Sequence, residues 1–255
     1  MPHVPDAVTR FSGIAAEYDA ARPHPPAEIA AVLTQWSGRE MPDVVDAGAG
    51  TGLSAVIWAG RAREVIALEQ AGPGEPTRFT VRGGTAEDTG LPDGCADIVT
   101  ASQAMHWFDP GRALPEIARI LRPGGVFAAY DCDWPPCIDA ETDAAYRRFD
   151  QLSDAAEDAR ALSPPRAAKR QHLAAIMASG LFRDGTEIAV HGTEQGDAAR
   201  LAAVALTQGG TAALLAAGAS EDEIGLTQLR EVAERQMPGP VTWWWTYRIR
   251  MAVRR

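Results

Sequence analysis

The sequence predicts an α/β fold in which strands and helices alternate around a mostly parallel sheet. A buried strand over 44–47 runs into three alternate glycines, and apolar residues at helical spacing follow over 53–58. A second apolar run over 64–68 ends at an acid. Two later apolar runs, over 96–101 and 126–130, flank a helix that begins at Asp109-Pro110, where an N-cap acid precedes a first-turn proline.

The three glycines, Gly48, Gly50 and Gly52, predict a nucleotide-type binding turn. Glycine permits a positive φ and lets a ligand approach the backbone closely. We expect a helix N-terminus beside the turn to offer free N–H groups. A dinucleotide fingerprint needs a small residue three positions after Gly50, and Leu53 stands there. A P-loop needs a lysine, and Lys169 is the only lysine in the chain.

Composition limits the class of protein. With 255 residues the chain is long enough for one large α/β domain. A formal net charge of −10 argues against nucleic-acid binding. Cys95, Cys132 and Cys137 form no C-x-x-C pair, so we expect free thiols and no metal site. Neither a signal peptide nor a membrane-length apolar run is evident, and we expect a soluble cytoplasmic protein with no membrane partner.

The stretch over 46–52, an acid followed by G-x-G-x-G, resembles the motif of class I S-adenosylmethionine-dependent methyltransferases. The segments L-P-D-G-x-x-D-I-V over 91–99 and E-I-x-R-I-L-R-P-G-G-x-F over 116–127 are similar to small-molecule, type 11-like members. The resemblance implies a Rossmann-like, doubly wound, mostly parallel seven-stranded sheet with an antiparallel last strand and helical cap insertions. It also implies S-adenosyl-L-methionine as cofactor and methyl transfer to O, N or C of a small molecule.

The resemblance covers nearly the whole chain and implies one domain. We expect a monomer or homodimer that binds a small-molecule substrate. The implied parts of the domain over 1–255 are an N-terminal lid over 1–38, a cofactor-binding core over 42–130, helical substrate-side insertions over 131–180 and 196–236, and the last strand over 241–254.

The cofactor contacts that the resemblance implies lie mainly at strand ends. Tyr18 and Arg22 belong to a lead segment that covers the cofactor in the family, and a guanidinium suits the methionine carboxylate. Glu69, at the tip of the second strand, is placed to accept from ribose hydroxyls. The other expected contacts are Asp46, Gly48, Ala49, Gly50, Gly52, Thr85, Ala86, Glu87, Ser102 and Gln103.

The stretch over 70–76 departs from the family, which has a helix after this acid. Two glycines and two prolines predict a short loop instead, and a shortened wall would leave the adenosine pocket more exposed.

His106, at the end of the fourth strand, is the candidate catalytic residue. An imidazole can accept a proton from a hydroxyl or amine acceptor near neutral pH. It could equally contact substrate, or orient the turn that Trp107 and Phe108 anchor.

Two other features have competing readings. The basic run over 166–172 is expected to be a solvated helix face, with an anion contact as the alternative. The last strand places an aromatic stripe on one face, expected to be core and alternatively to line the acceptor pocket.

Two alternative functions stay open. One is a cofactor-binding protein without methyl transfer, such as a cyclase, a regulator or an interaction module. The other, disfavoured by Leu53, is a dinucleotide-dependent oxidoreductase.

Overall fold

The computed structural model describes residues 19–69, 79–163 and 167–255. The chain divides into two compact units, and each is described by itself. The sheet unit comprises His24–Cys132, Arg166–His191 and Thr246–Arg255, and the helical unit comprises Met1–Pro23, Asp133–Pro165 and Gly192–Trp245. The single domain expected over 1–255 stays a prediction.

Seven strands form one sheet in the order β3-β2-β1-β4-β5-β7-β6. The pairs β1/β2, β1/β4, β2/β3 and β4/β5 are parallel, while β5 and β7 pair antiparallel from Val126↔Val253 to Cys132↔Tyr247. This topology confirms the predicted fold class. The strands are β1 (Asp43–Ala47), β2 (Glu64–Glu69), β3 (Thr80–Gly83), β4 (Ala96–Ser102), β5 (Leu121–Cys132), β6 (Phe182–Gly196) and β7 (Val241–Arg254).

The helices differ between the two units. In the sheet unit, α1 (Glu28–Ser37) and α2 (Pro110–Ile120) pack against β5, and α4 (His172–Ala178) follows a short 3₁₀ turn over Lys169–Gln171. The Asp109 side chain accepts from the Gly111 N–H and caps α2 as predicted. In the helical unit, α3 and α5 pack against α7. Its helices are α3 (Ala140–Ala159), α5 (Ala198–Leu206), α6 (Gly209–Ala216) and α7 (Leu226–Gln236).

Two sequence predictions about local structure are wrong. The glycine turn is followed by a 3₁₀ helix, Ala55–Trp58, rather than an α-helix. The β-branched pair Val56-Ile57 disfavours an α-helix, and Gly60, at φ 72°, turns the chain toward β2. The fifth strand begins at Leu121 instead of Val126, with a register shift between Ala96 and Ile98 on its partner strand.

The aromatic stripe of β7 forms core, as predicted. Trp243, Trp245 and Tyr247 are buried, whereas the intervening Trp244 is 58% exposed. Because alternate residues of a strand face opposite sides, this burial fixes which face of β7 is covered. The Trp243 and Trp245 rings meet edge to face, with centroids 6.1 Å apart.

Within the described ranges, no helix taken singly has the length and apolar composition needed to cross a bilayer. The bent pair α5 and α6 meets that criterion only when the two helices are joined.

We predict that Gly196→Ala destabilises the protein by about 1–3 kcal/mol, because a Cβ there would overlap the buried Trp243 ring. Gly239→Ala is the matched control in the same unit, since a Cβ at Gly239 meets nothing within 4 Å. Urea unfolding of both variants measures the difference. Equal free energies of unfolding would contradict this packing.

Candidate functional site

The glycine turn has a left-handed backbone at each of its glycines. Gly48, Gly50 and Gly52 have φ values of 70°, 56° and 92°. The N–H groups of Gly48 and Ala49 both donate to the Leu68 carbonyl at 3.0 Å, which ties the turn to the end of β2. Residues with a Cβ rarely adopt this conformation, so the backbone itself requires glycine here.

The space around the glycines differs. A Cβ at Gly48 would lie 2.8 Å from the Ala104 Cβ, and one at Gly52 would overlap the Phe79 ring. A Cβ at Gly50 would meet nothing within 4 Å. Packing therefore excludes side chains at the two outer positions, while Gly50 presents bare backbone to open space.

Asp46 lies beneath this turn with no exposed surface. Its Oδ1 accepts from the Thr100 hydroxyl at 2.7 Å, and its Oδ2 accepts from the Ser54 hydroxyl. Burial raises the pKa of this carboxyl to about 6, although the two hydroxyls favour its charged form. Asp46 thus braces the turn, and direct contact with a cofactor stays a prediction for this residue.

Glu69 reaches from the end of β2 to the turn. Its Oε2 accepts from the Gly50 N–H at 2.6 Å. Parallel strands β1 and β2 end at the same edge of the sheet, which is why the acid and the glycines meet. The structure thus brings Glu69 to the turn, and its contact with ribose hydroxyls stays a prediction.

The turn after β3 forms hydrogen bonds within the sheet unit. The Thr85 N–H donates to the Asp88 carbonyl at 3.1 Å, and the Asp88 N–H approaches the Thr85 hydroxyl at 3.2 Å. Ala86 is buried, and Glu87 accepts from the Asp109 N–H at 2.9 Å. The structure leaves the expected adenine contact by these residues as a prediction.

Ser102 ends β4 opposite Tyr130, and Gln103 follows at a strained φ of 51°. The Gln103 N–H donates to the Tyr130 carbonyl at 2.9 Å. Its side-chain amide donates to the Cys132 sulfur at 2.7 Å and accepts from Lys169 Nζ at 2.6 Å. Gln103 therefore joins the ends of β4 and β5 to a residue from the basic run.

His106 lies in a 3₁₀ turn, Met105–Trp107, just beyond β4. Its Nδ1 is 3.8 Å from Asp131 Oδ1, and its carbonyl accepts from the Ala167 N–H at 3.1 Å. The imidazole stacks on that of His172, with ring centroids 6.3 Å apart and planes within 5°.

The expectation that the basic run over 166–172 is a solvated face is wrong for His172 and holds for Arg170 and Gln171, while Lys169 is only partly exposed and Arg166 lies outside the described residues. His172 is 1% exposed, and its Nδ1 is 3.4 Å from Asp131 Oδ2. Lys169 Nζ is 3.4 Å from Asp131 Oδ1. The side chains of Lys169 and His172 point to Asp131 because a buried carboxylate attracts cationic and imidazole groups.

Asp131 is the functional candidate that the sequence did not single out. Burial favours the neutral form of its carboxyl, but His172, Lys169 and His106 outweigh burial and lower the pKa to about 2. Arg250 Nη1 lies 3.3 Å from Oδ2. One available signal was the position of Asp131, at the carboxyl end of the fifth strand. Among the residues that the structure describes, no group of His, Cys, Asp or Glu is arranged to hold a metal ion.

Arg22 belongs to the helical unit. Its guanidinium lies over the Trp134 ring, 4.7 Å from the centroid, and Nη2 donates to the Thr207 carbonyl at 2.9 Å. Tyr18 lies outside the described residues, as does the predicted loop over 70–76.

Comparisons with known proteins agree with this topology. Residues 45–129 match the family model described as a methyltransferase domain. An uncharacterized methyltransferase of Mycobacterium bovis is 36% identical over 127 residues, which cover 47% of this chain and 51% of that protein. The malonyl-[acyl-carrier protein] O-methyltransferase of Serratia marcescens is 35% identical over 124 residues, covering 46% and 48% respectively. The chain thus matches about half the length of these curated relatives.

The solved structures extend the similarity in fold. A candidate type II methyltransferase from Anaeromyxobacter dehalogenans superposes with a TM-score of 0.68 at 25% identity, over 92% of this chain and 97% of that one. Residues 45–129 thus match a methyltransferase domain, and the chain as a whole shares the fold of this solved methyltransferase.

We predict that the difference in unfolding free energy between the wild type and Asp46→Asn changes with pH. The folded-state pKa of about 6 lies above the ordinary value of 3.8, so Asp46 stabilises the fold most below about pH 4. That contribution is lost as pH rises through 6. Relative to Asp46→Asn, the wild type should lose about 2 kcal/mol between pH 4 and pH 7.

Chemical denaturation at several pH values measures this difference. Asp184→Asn, at an exposed carboxylate, is the control and should run parallel to wild type. A constant difference between wild type and Asp46→Asn across this range would contradict the buried, protonated carboxyl.

Proposed function

We propose that this protein transfers a methyl group from S-adenosyl-L-methionine to O, N or C of a small-molecule acceptor. The observation that carries the proposal is the open glycine turn at Gly50, hydrogen-bonded to Glu69, inside the segment that matches a methyltransferase domain. The curated relatives match this chain over only about half their length, so their activity does not transfer to it directly. The proposal therefore rests on the site itself.

The proposed cofactor contacts follow the carboxyl edge of the sheet. The bare backbone at Gly50 leaves room for a ligand, and Glu69 offers an acceptor for ribose hydroxyls. Thr85, Ala86 and Glu87 are proposed at the adenine, and Ser102 with Gln103 at the methionine portion. Asp46 would act through the turn that it braces. Tyr18 and Arg22 are proposed on the family resemblance alone.

The chemistry asks little acid–base work of the protein. When bound, S-adenosyl-L-methionine supplies a methyl group on a positively charged sulfur. The neutral sulfide that remains is a good leaving group. Holding an acceptor in line with that methyl is worth up to about 7–11 kcal/mol in effective-molarity terms. A base is needed only when the acceptor arrives protonated, and His106 is the proposed base or positioning residue.

The other proposed properties follow from composition and fold. The net charge of −10 supports a small-molecule partner rather than nucleic acid. A cytoplasmic monomer or homodimer that uses no metal is the proposed working form.

We predict that Gly50→Ala lowers the affinity for S-adenosyl-L-methionine at least tenfold, since its Cβ would enter the open space at the turn. Gly60→Ala is the matched control, because Gly60 also has a positive φ, of 72°, and a Cβ there meets nothing within 4 Å. Both variants should lose similar stability from backbone strain, about 1–2 kcal/mol.

Calorimetry with S-adenosyl-L-methionine and, separately, with NADH checks this prediction. Binding of NADH alone would favour the oxidoreductase alternative and overturn the proposal.

We predict that His106→Asn lowers methyl transfer to a protonated acceptor by about 10²–10⁴-fold while cofactor affinity is retained. Labelled cofactor with a panel of phenols, amines and carboxylic acids measures turnover. His191→Asn, at an exposed imidazole on β6, is the control and should match wild type. Equal turnover in His106→Asn and wild type would remove the base role. Cofactor binding with no product from the panel would favour a binder without transfer.

A further inference from the structure

One buried carboxylate gathers four nitrogen-bearing side chains at the carboxyl end of β5. These residues, Asp131, His106, Lys169, His172 and Arg250, are called the Asp131 cluster. Oδ1 faces His106 Nδ1 at 3.8 Å and Lys169 Nζ at 3.4 Å. Oδ2 faces His172 Nδ1 at 3.4 Å and Arg250 Nη1 at 3.3 Å. All five residues belong to the sheet unit.

The carboxylates in and beside the cluster are matched by an equal number of cationic side chains. Asp131 is an anion at neutral pH, because the surrounding nitrogens hold its pKa at about 2 despite burial. Lys169 offsets this charge, and Arg250 is also paired with Glu187, whose Oε2 lies 2.7 Å from the Arg250 Nε. The negative charges of Asp131 and Glu187 are therefore matched by the positive charges of Lys169 and Arg250.

The geometry distinguishes the two nitrogens of His106. Nδ1 is buried and lies 3.8 Å from Asp131 Oδ1, which is longer than a hydrogen bond but close enough for the carboxylate charge to act on the ring. A negative charge beside one nitrogen of a neutral imidazole favours the tautomer that carries its proton on that nitrogen. Facing Asp131, Nδ1 is the nitrogen that should carry it, and Nε2 then has a lone pair to accept another.

We propose that Asp131 is a positioning residue that holds His106 with its proton on Nδ1 and Nε2 as a proton acceptor, so that the substrate is a hydroxyl or amine that arrives protonated. This proposal deepens the proposed function and rests on it for the reaction. As the acceptor heteroatom bonds to the methyl carbon, the carbon–sulfur bond breaks with its electron pair left on sulfur. The acceptor proton passes to His106 Nε2.

Lys169 provides the means to separate positioning from simple packing. Lys169 Nζ lies near the same Asp131 oxygen as His106 Nδ1, and the Lys169 side chain is partly exposed. Removing Asp131 deletes an anion beside the imidazole, whereas removing Lys169 deletes a cation. Within the Asp131 cluster, Asp131 from β5 and His172 from α4 lie beside His106, Lys169 from the 3₁₀ turn contacts the same carboxylate oxygen, and Arg250 joins Asp131 to Glu187.

The test is nitrogen-15 NMR of the His106 ring in the full-length protein, which needs neither cofactor nor acceptor. Wild type should show the neutral tautomer protonated at Nδ1. Asp131→Asn should lower the titration midpoint of His106 by about one pH unit, and Lys169→Gln should raise it. Glutamine at position 169 keeps a hydrogen-bond donor for the Gln103 side chain. The control is Asp184→Asn, at an exposed carboxylate, which should leave the midpoint of His106 unchanged.

Proton on Nε2 in the wild-type neutral ring would overturn the proposal, as would shifts of equal sign in the two cluster variants. If Asp131→Asn does not fold, the wild-type tautomer and the shift in Lys169→Gln decide the question.

A kinetic arm tests the acceptor class. With labelled S-adenosyl-L-methionine, Asp131→Asn should lower kcat for phenol or amine acceptors at least tenfold, move the pH profile to lower pH, and leave the KM for cofactor unchanged. Methylation of carboxylic acids alone would overturn the acceptor class. If calorimetry shows that the wild type does not bind S-adenosyl-L-methionine, the proposed function is overturned, while the NMR result on His106 still stands.

Discussion

A carboxyl group without access to solvent holds together the edge of the sheet where the glycine turn lies. Asp46 leaves β1 just before the turn and accepts from Ser54 beyond it and from Thr100 in β4. Since each carboxyl oxygen has its own hydroxyl donor, the turn is fixed relative to two strands before any ligand binds. The open backbone at Gly50 and its bond to Glu69 both depend on this brace. Such preorganisation reduces the ordering cost of binding.

Much of the fold could be predicted because its signals are local. The bounds of β2 were predicted to the residue, since an apolar run ends in an acid there. Asp109 caps α2 because an acid before proline encodes a helix start. The stripe on β7 is read directly from its alternation. The helix after Gly52 failed because apolar spacing over so short a stretch fits a 3₁₀ turn as well as an α-helix.

The sequence predicted the site residues at the ends of β1 and β2, but not the residues that gather at the end of β5. Gly50 and Glu69 meet because adjacent parallel strands end together, and the sequence shows both ends. Lys169 and His172 could not be placed, because polarity alone describes a charged run as solvated. Their partner Asp131 is distant in sequence, and only the pairing of β5 with its neighbours brings it to them. A local sequence pattern does not predict an ion pair between residues that are far apart in the chain.

The Asp131 cluster lies entirely within the sheet unit, although its members come from four separated segments of the chain. The helical unit supplies none of the five residues. Substitutions in α3, α5, α6 or α7 therefore leave all five residues of the Asp131 cluster in place. A laboratory library confined to these four helices would vary the helical unit while every group of the proposed proton acceptor and its supports stays constant.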